Sequence, residues 1–143
     1  MSTRVILADT SGRWAAVLRA ELDSGGLPLH EAGTLEAAWR ELKQSPAAFL
    51  VIAISPKNLR RAIDVLRRLP EVYPRARAAV VAPRAMRDYR WMMAEAGAVA
   101  FTASPRQVAP LAEAAGRHLA DAAEREPAVA PHDRIWQSLP WDG

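Results

Sequence analysis

Asp9, Ser55, Thr102 and Ser104 each stand at or just past the end of an apolar run. If those runs are strands of one parallel sheet, the four side chains gather at its carboxyl edge, where open α/β sheets bind ligands. The chemistry on offer there is narrow. Mg²⁺ prefers an octahedron of oxygens and is usually held by one or two carboxylates with water and phosphate. Asp9 supplies one carboxylate, and its other use is to cap the helix that follows. A serine nucleophile needs a positioned general base, but His30, His118 and His132 fall on a predicted strand, the last helix and the C-terminal segment. None is placed by sequence to serve Ser55 or Ser104. The stretch Asp9-Thr10-Ser11-Gly12-Arg13 can turn backbone N–H groups toward an anion at a helix N-terminus, although the acid at its head repels phosphate. No catalytic residue, metal site or cofactor is expected.

The elements that must carry these residues follow from hydrophobic period. Short apolar runs bounded by turn residues alternate with stretches of helical period, the pattern of repeated βα units and a parallel sheet. Strands are predicted over residues 4–9, 27–32, 49–54, 78–82 and 98–102. Helices are predicted over 11–23, from a Thr34 cap toward Ser45-Pro46, from a Ser55-Pro56 start to a stop at Pro70, over 86–96 with Gly97 as terminator, and from Pro105 to about Arg125. Residues 49–54 are the most continuously apolar and read as the middle strand, covered by helices on both faces. Trp14, Trp39 and Trp91 fall on or beside apolar helix faces and are expected to pack against the sheet. The fold class is α/β, a single doubly wound (βα)5 domain over residues 1–125. Residues 126–143 read as a Pro-punctuated linker and a Trp-containing peptide tail.

With 143 residues the chain has room for one such domain and a short appendage. Cysteine is absent, which excludes disulfides and thiolate metal sites, and no twenty-residue apolar run exists to cross a bilayer. The short apolar stretch before Asp9 is too brief for a secretory leader, so a cytoplasmic protein of bacterial type is expected. The net charge of +3 is unevenly placed. Ten basic residues between Lys57 and Arg90 face three acids, and the rest of the chain is net acidic. Such a block is a footprint for an acidic partner or nucleic acid, or simply a set of solvated helix faces.

The segment Ala94-Glu-Ala-Gly-Ala-Val-Ala-Phe-Thr-Ala-Ser-Pro105, together with Val65-Leu-Arg-Arg-Leu69 and the five βα units, resembles the receiver domain of two-component response regulators. The resemblance covers residues 4–120 and implies a five-stranded sheet in the order 2-1-3-4-5. It also implies where receiver chemistry would sit. The acid pair that holds Mg²⁺ falls on Ala8 and Asp9, the phospho-acceptor aspartate on Ala53, and the hydroxyl residue after strand four on Ala82. The switch aromatic falls on Phe101, and the Lys-Pro pair on Ser104 and Pro105. Aspartyl phosphate needs a carboxylate nucleophile that a methyl group does not supply. The chain therefore reads as a degenerate receiver, a pseudo-receiver that acts without phosphorylation. The loop after the first strand also faintly resembles the phosphate loop of flavodoxins, with less Thr and Gly, and flavin binding is set aside.

Trp136 and Trp141 lie with Ile135 and Leu139 beyond the Pro-rich spacer. One or two buried aromatics often carry most of a binding energy, so these four are candidate partner anchors; the alternative is that they fold back along the first and fifth helices. Arg84, Arg87 and Arg90 are the candidate steering patch, better matched to an acidic protein surface than to nucleic acid, since neither a helix-turn-helix nor an aromatic-interleaved basic strand is present. The expected function is a protein-binding adaptor in bacterial signal transduction. The alternative is a small-molecule or nucleotide sensor using a strand-end cleft lined by Asp9, Ser55, Ala82 and Ser104.

Overall fold

Successive side chains of a strand point to opposite faces of its sheet, and here the two sets meet different helices. The computed structural model describes residues 3–125. Strands β1 (Val5–Ala8), β2 (Leu29–Glu31), β3 (Phe49–Ala53), β4 (Arg77–Val81) and β5 (Phe101–Thr102) run parallel in the order β2-β1-β3-β4-β5. Val5, Leu7, Phe49, Val51, Ala79 and Val81 pack against α1 (Arg13–Ser24) and α5 (Ala109–Arg125). Ile6, Leu50, Ile52, Ala78 and Val80 turn the other way, onto α2 (Leu35–Glu41), α3 (Leu59–Val72) and α4 (Arg90–Ala96). This is the expected doubly wound α/β fold. Residues 49–54 hold the centre as expected, with β3 bonded to β1 on one edge and to β4 on the other. No helix among the described residues is long and apolar enough to cross a membrane. Ile135, Trp136, Leu139 and Trp141 lie outside the described residues.

Thr34 caps α2 as its sequence suggests, its Oγ1 accepting from Ala37 N at 3.0 Å. Three other local expectations are corrected. Helix α3 begins at Leu59, not at Ser55-Pro56, and it runs through Pro70 to Val72. Pro70 has no N–H to give Leu66, but the helix is held one turn further by Tyr73 N donating to Leu69 O at 2.8 Å. The helix predicted over 86–96 is two pieces, a 3₁₀ segment over Arg84–Tyr89, itself kinked at Met86 (φ −104°, ψ 17°), and then α4. Trp91 is 78% exposed, not packed on the sheet. In the first turn of so short a helix it points away from the face that Met93 and Ala96 bury.

Gly97 ends α4 at φ +127°, where a Cβ would lie 3.3 Å from the Leu66 carbonyl oxygen. A positive φ and that close approach to α3 both favour glycine. Trp14 is buried against β1 and β3, whereas Trp39 is half-buried and meets the Tyr73 ring edge-on at 5.2 Å.

At the opposite end of the sheet from the strand-end cleft, His118 on α5 donates from Nε2 to Ala47 O at 2.7 Å and packs on the Phe49 ring. Burial disfavours the imidazolium and the Arg77 guanidinium adds to that, so the His118 pKa lies below the ordinary histidine value. As pH falls the unfolded chain takes up this proton first. Stability from this residue is therefore full above about pH 6.5 and falls as pH drops from there toward the folded-state pKa. Thermal midpoints between about pH 7.5 and about pH 5.5 should fall more steeply in the wild type than in His118→Gln. Equal slopes would contradict this account.

Candidate functional site

An open cleft of about 800 Å³ lies at the carboxyl ends of the strands. It opens where β1 and β3, adjacent in the sheet, send their chains to helices on opposite faces, the place at which doubly wound sheets take ligands. Asp9, Ala53, Ser55, Ala82, Ser104 and Pro105 all line it. The sheet thus brings Asp9, Ser55 and Ser104 together there, whereas Thr102 is buried and does not line the cleft. Ala8 is buried within the β1 core and does not line the cleft, and Phe101 is half-buried beside it.

Asp9 is committed to the start of α1. Its Oδ1 accepts from Ser11 N at 2.9 Å and from Ser11 Oγ at 2.6 Å, and its Oδ2 accepts from Trp14 N at 3.0 Å. The cap residue of α1 is Gly12, at φ +76° and without a side chain to receive an orphan N–H. Asp9 takes over that role from three residues upstream, and Ser11 Oγ accepts from Arg13 N at 3.2 Å.

The end of β3 is tied down by a residue that the hydrophobic pattern did not single out. Asn58 accepts from Ser55 N through Oδ1 at 2.7 Å and donates through Nδ2 to Ala53 O at 2.9 Å. Asn58 therefore closes a loop over Ser55-Pro56, which is why that pair does not start α3. Asn two to five residues past a strand is a turn signal, and it was legible in that sense alone. On the far side, Ala82 N donates to Thr102 O at 2.9 Å. Thr102 Oγ1 donates to Ser104 O at 3.1 Å, and Ser104 Oγ accepts from Arg106 N at 3.2 Å, opening the 3₁₀ turn at Pro105–Gln107.

Arg84, Arg87 and Arg90, read from sequence as a separate steering patch, also line the cleft, and Arg13 joins them from α1. Arg90 donates from Nη1 to Phe101 O at 3.2 Å, with its guanidinium 5.1 Å from the centroid of the Phe101 ring. Arg87 donates from Nη1 to Arg84 O at 3.1 Å. The lining thus holds four guanidinium groups against the single carboxylate of Asp9. Among the described residues no three His, Asp or Glu side chains come together as a metal site. The Mg²⁺ implied by a receiver resemblance does not fit these residues, because the one acid is occupied by hydrogen-bond donors and its neighbours are cations.

Asp9→Ala should lower stability by about 1 kcal/mol, the usual cost of losing a capping acceptor, with Asp9→Asn recovering part of it in urea titrations. An Asp9→Ala protein as stable as the wild type would remove the capping role.

No protein-family model and no curated protein matches the chain. Its fold is similar to that of a response regulator from Thermotoga maritima, with a TM-score of 0.70 and 18% identity over 84% of this chain and 99% of that one. It is also similar to a CheY-like protein (tadZ) from Pseudomonas aeruginosa PAO1, with a TM-score of 0.64 and 21% identity over 81% of this chain and 94% of that one. At such identities the likeness is one of fold, and the fold is that of a receiver-like, flavodoxin-like α/β domain.

Proposed function

We propose that this chain is a phosphorylation-independent receiver-like module, a pseudo-receiver that regulates a bacterial signalling pathway by binding a protein with an acidic surface. Trp91 is the observation that carries the reading. It stands 78% exposed on α4, with Met92 and Val99 also exposed nearby in the chain and Arg87 and Arg90 flanking it. A tryptophan left in water forgoes a large apolar burial that a partner can restore. Tryptophan and arginine are the residues most often found to dominate binding hot spots, and arginines speed encounter with acidic surfaces. Ala53 ends β3 with a methyl group, so no acyl phosphate forms at that place. The fold shared with a response regulator and a CheY-like protein supports the signalling role. In this proposal Ile135, Trp136, Leu139 and Trp141 supply further anchors.

The test uses four baits, the full chain, Trp91→Ala, a truncation ending at Arg125, and Trp136→Ala/Trp141→Ala, against a lysate of the source organism. A protein held by the full chain and lost from Trp91→Ala identifies α4 as the docking element, and loss from the last two baits as well adds the tail. Equal recovery on all four overturns the adaptor reading. In parallel, acetyl phosphate with Mg²⁺ should leave the intact mass unchanged, and a phosphate adduct would overturn phosphorylation independence.

A further inference from the structure

The segment after β4 forms 3₁₀ turns over Arg84–Tyr89, kinked at Met86, and α4 begins at Arg90. Arg84, Arg87 and Arg90, three apart in sequence, all line the strand-end cleft. No carboxylate neutralises these three arginines among the described residues. The arginine ion pairs run between Arg4 and Glu41, Arg19 and Glu31, Arg61 and Glu36, and Arg68 and Asp64. Asp88 is exposed and outside the cleft lining. Asp9, the only acid in the cleft, spends both oxygens on Ser11 and Trp14.

Like charges held side by side on a concave wall concentrate a positive potential and favour a multivalent anion. Guanidinium groups bind phosphate through paired charge-assisted hydrogen bonds. Ser55 and Ser104 also line the cleft, and a volume of about 800 Å³ lies in the range of small-molecule sites. The methyl groups of Ala53 and Ala82 leave the floor free of an acid that would repel such a ligand.

We infer that the strand-end cleft is a non-covalent binding site for a small molecule bearing two or more linked phosphate groups, gripped by Arg84 and Arg87 with Arg90 and Arg13 at its sides. Arg90, held at the Phe101 carbonyl and ring, is the preorganised member, and Arg84 and Arg87 close on the ligand. The inference does not rest on the adaptor reading, since neither Trp91 nor a protein partner enters it.

Isothermal titration of the full chain with pyrophosphate, adenosine triphosphate and inorganic phosphate at fixed ionic strength tests it. Pyrophosphate or adenosine triphosphate should bind saturably with one site, and inorganic phosphate at least about tenfold more weakly. Arg84→Gln/Arg87→Gln should cost about tenfold or more in affinity. Ala53→Asp, which leaves every arginine in place and adds a carboxylate to the floor, should cost as much. Arg67→Gln/Arg68→Gln on α3 should bind as the wild type does. Tighter binding of the nucleotide than of pyrophosphate assigns the site to nucleotides, and equal binding assigns it to the polyphosphate group alone. Absence of saturable binding overturns the inference, as does retention of full affinity in both cleft variants or an equal loss in the α3 variant. Circular dichroism of each variant identifies a folding failure, and the two cleft variants are independent of each other in that respect.

Discussion

Strand β3 is bonded along both edges and covered on both faces, and the rest of the molecule is arranged around that double burial. Phe49 and Val51 point to the α1 and α5 layer, Leu50 and Ile52 to the α2, α3 and α4 layer, and these four side chains are fully buried. A strand so placed has no polar face to present to water, which is why residues 49–52 are apolar without interruption. A one-residue slip of its register would exchange the two sets and break both cores at once. The parallel pairings with β1 and β4 are fixed by that demand, and so is the level at which every strand ends.

That level is where the strand-end cleft lies. Strand ends, loops and 3₁₀ turns meet at one cleft, and the hydrogen bonds there are local. Asp9 serves α1, Asn58 serves the loop after β3, and Thr102 and Ser104 serve the turn after β5. The polar groups of the strand ends are used to satisfy backbone. What remains turned to the cavity is mostly positive. The receiver-like fold thus carries a strand-end cleft lined by four arginines and one carboxylate.

The tryptophans illustrate how burial is shared out. Trp14 is enclosed because α1 lies flat on β1 and β3, and Trp39 is half-enclosed against Tyr73. Trp91 is left outside because Met93 and Ala96 form the face that the short helix α4 turns to the core.

Period and turn chemistry determined the α/β class, the number of βα units, the central place of residues 49–54, the Thr34 cap and the Gly97 stop, because each is a local property or a repeat of one. The charge block around Arg84, Arg87 and Arg90 was equally plain in the sequence, as was the methyl group of Ala53. Tertiary structure decided what these residues face. Hydrophobic period reports which side of an element is apolar, but convergence of polar side chains from β1, β3, β4 and β5 depends on where separate elements end relative to one another. The break between the 3₁₀ segment and α4 and the run of α3 through Pro70 were also not legible in the hydrophobic period, and in the fold Met86, Met93 and Leu69 are buried. Asp9 had two uses open to it in the sequence, and the bare cap at Gly12, seen only once α1 is in place, chose between them.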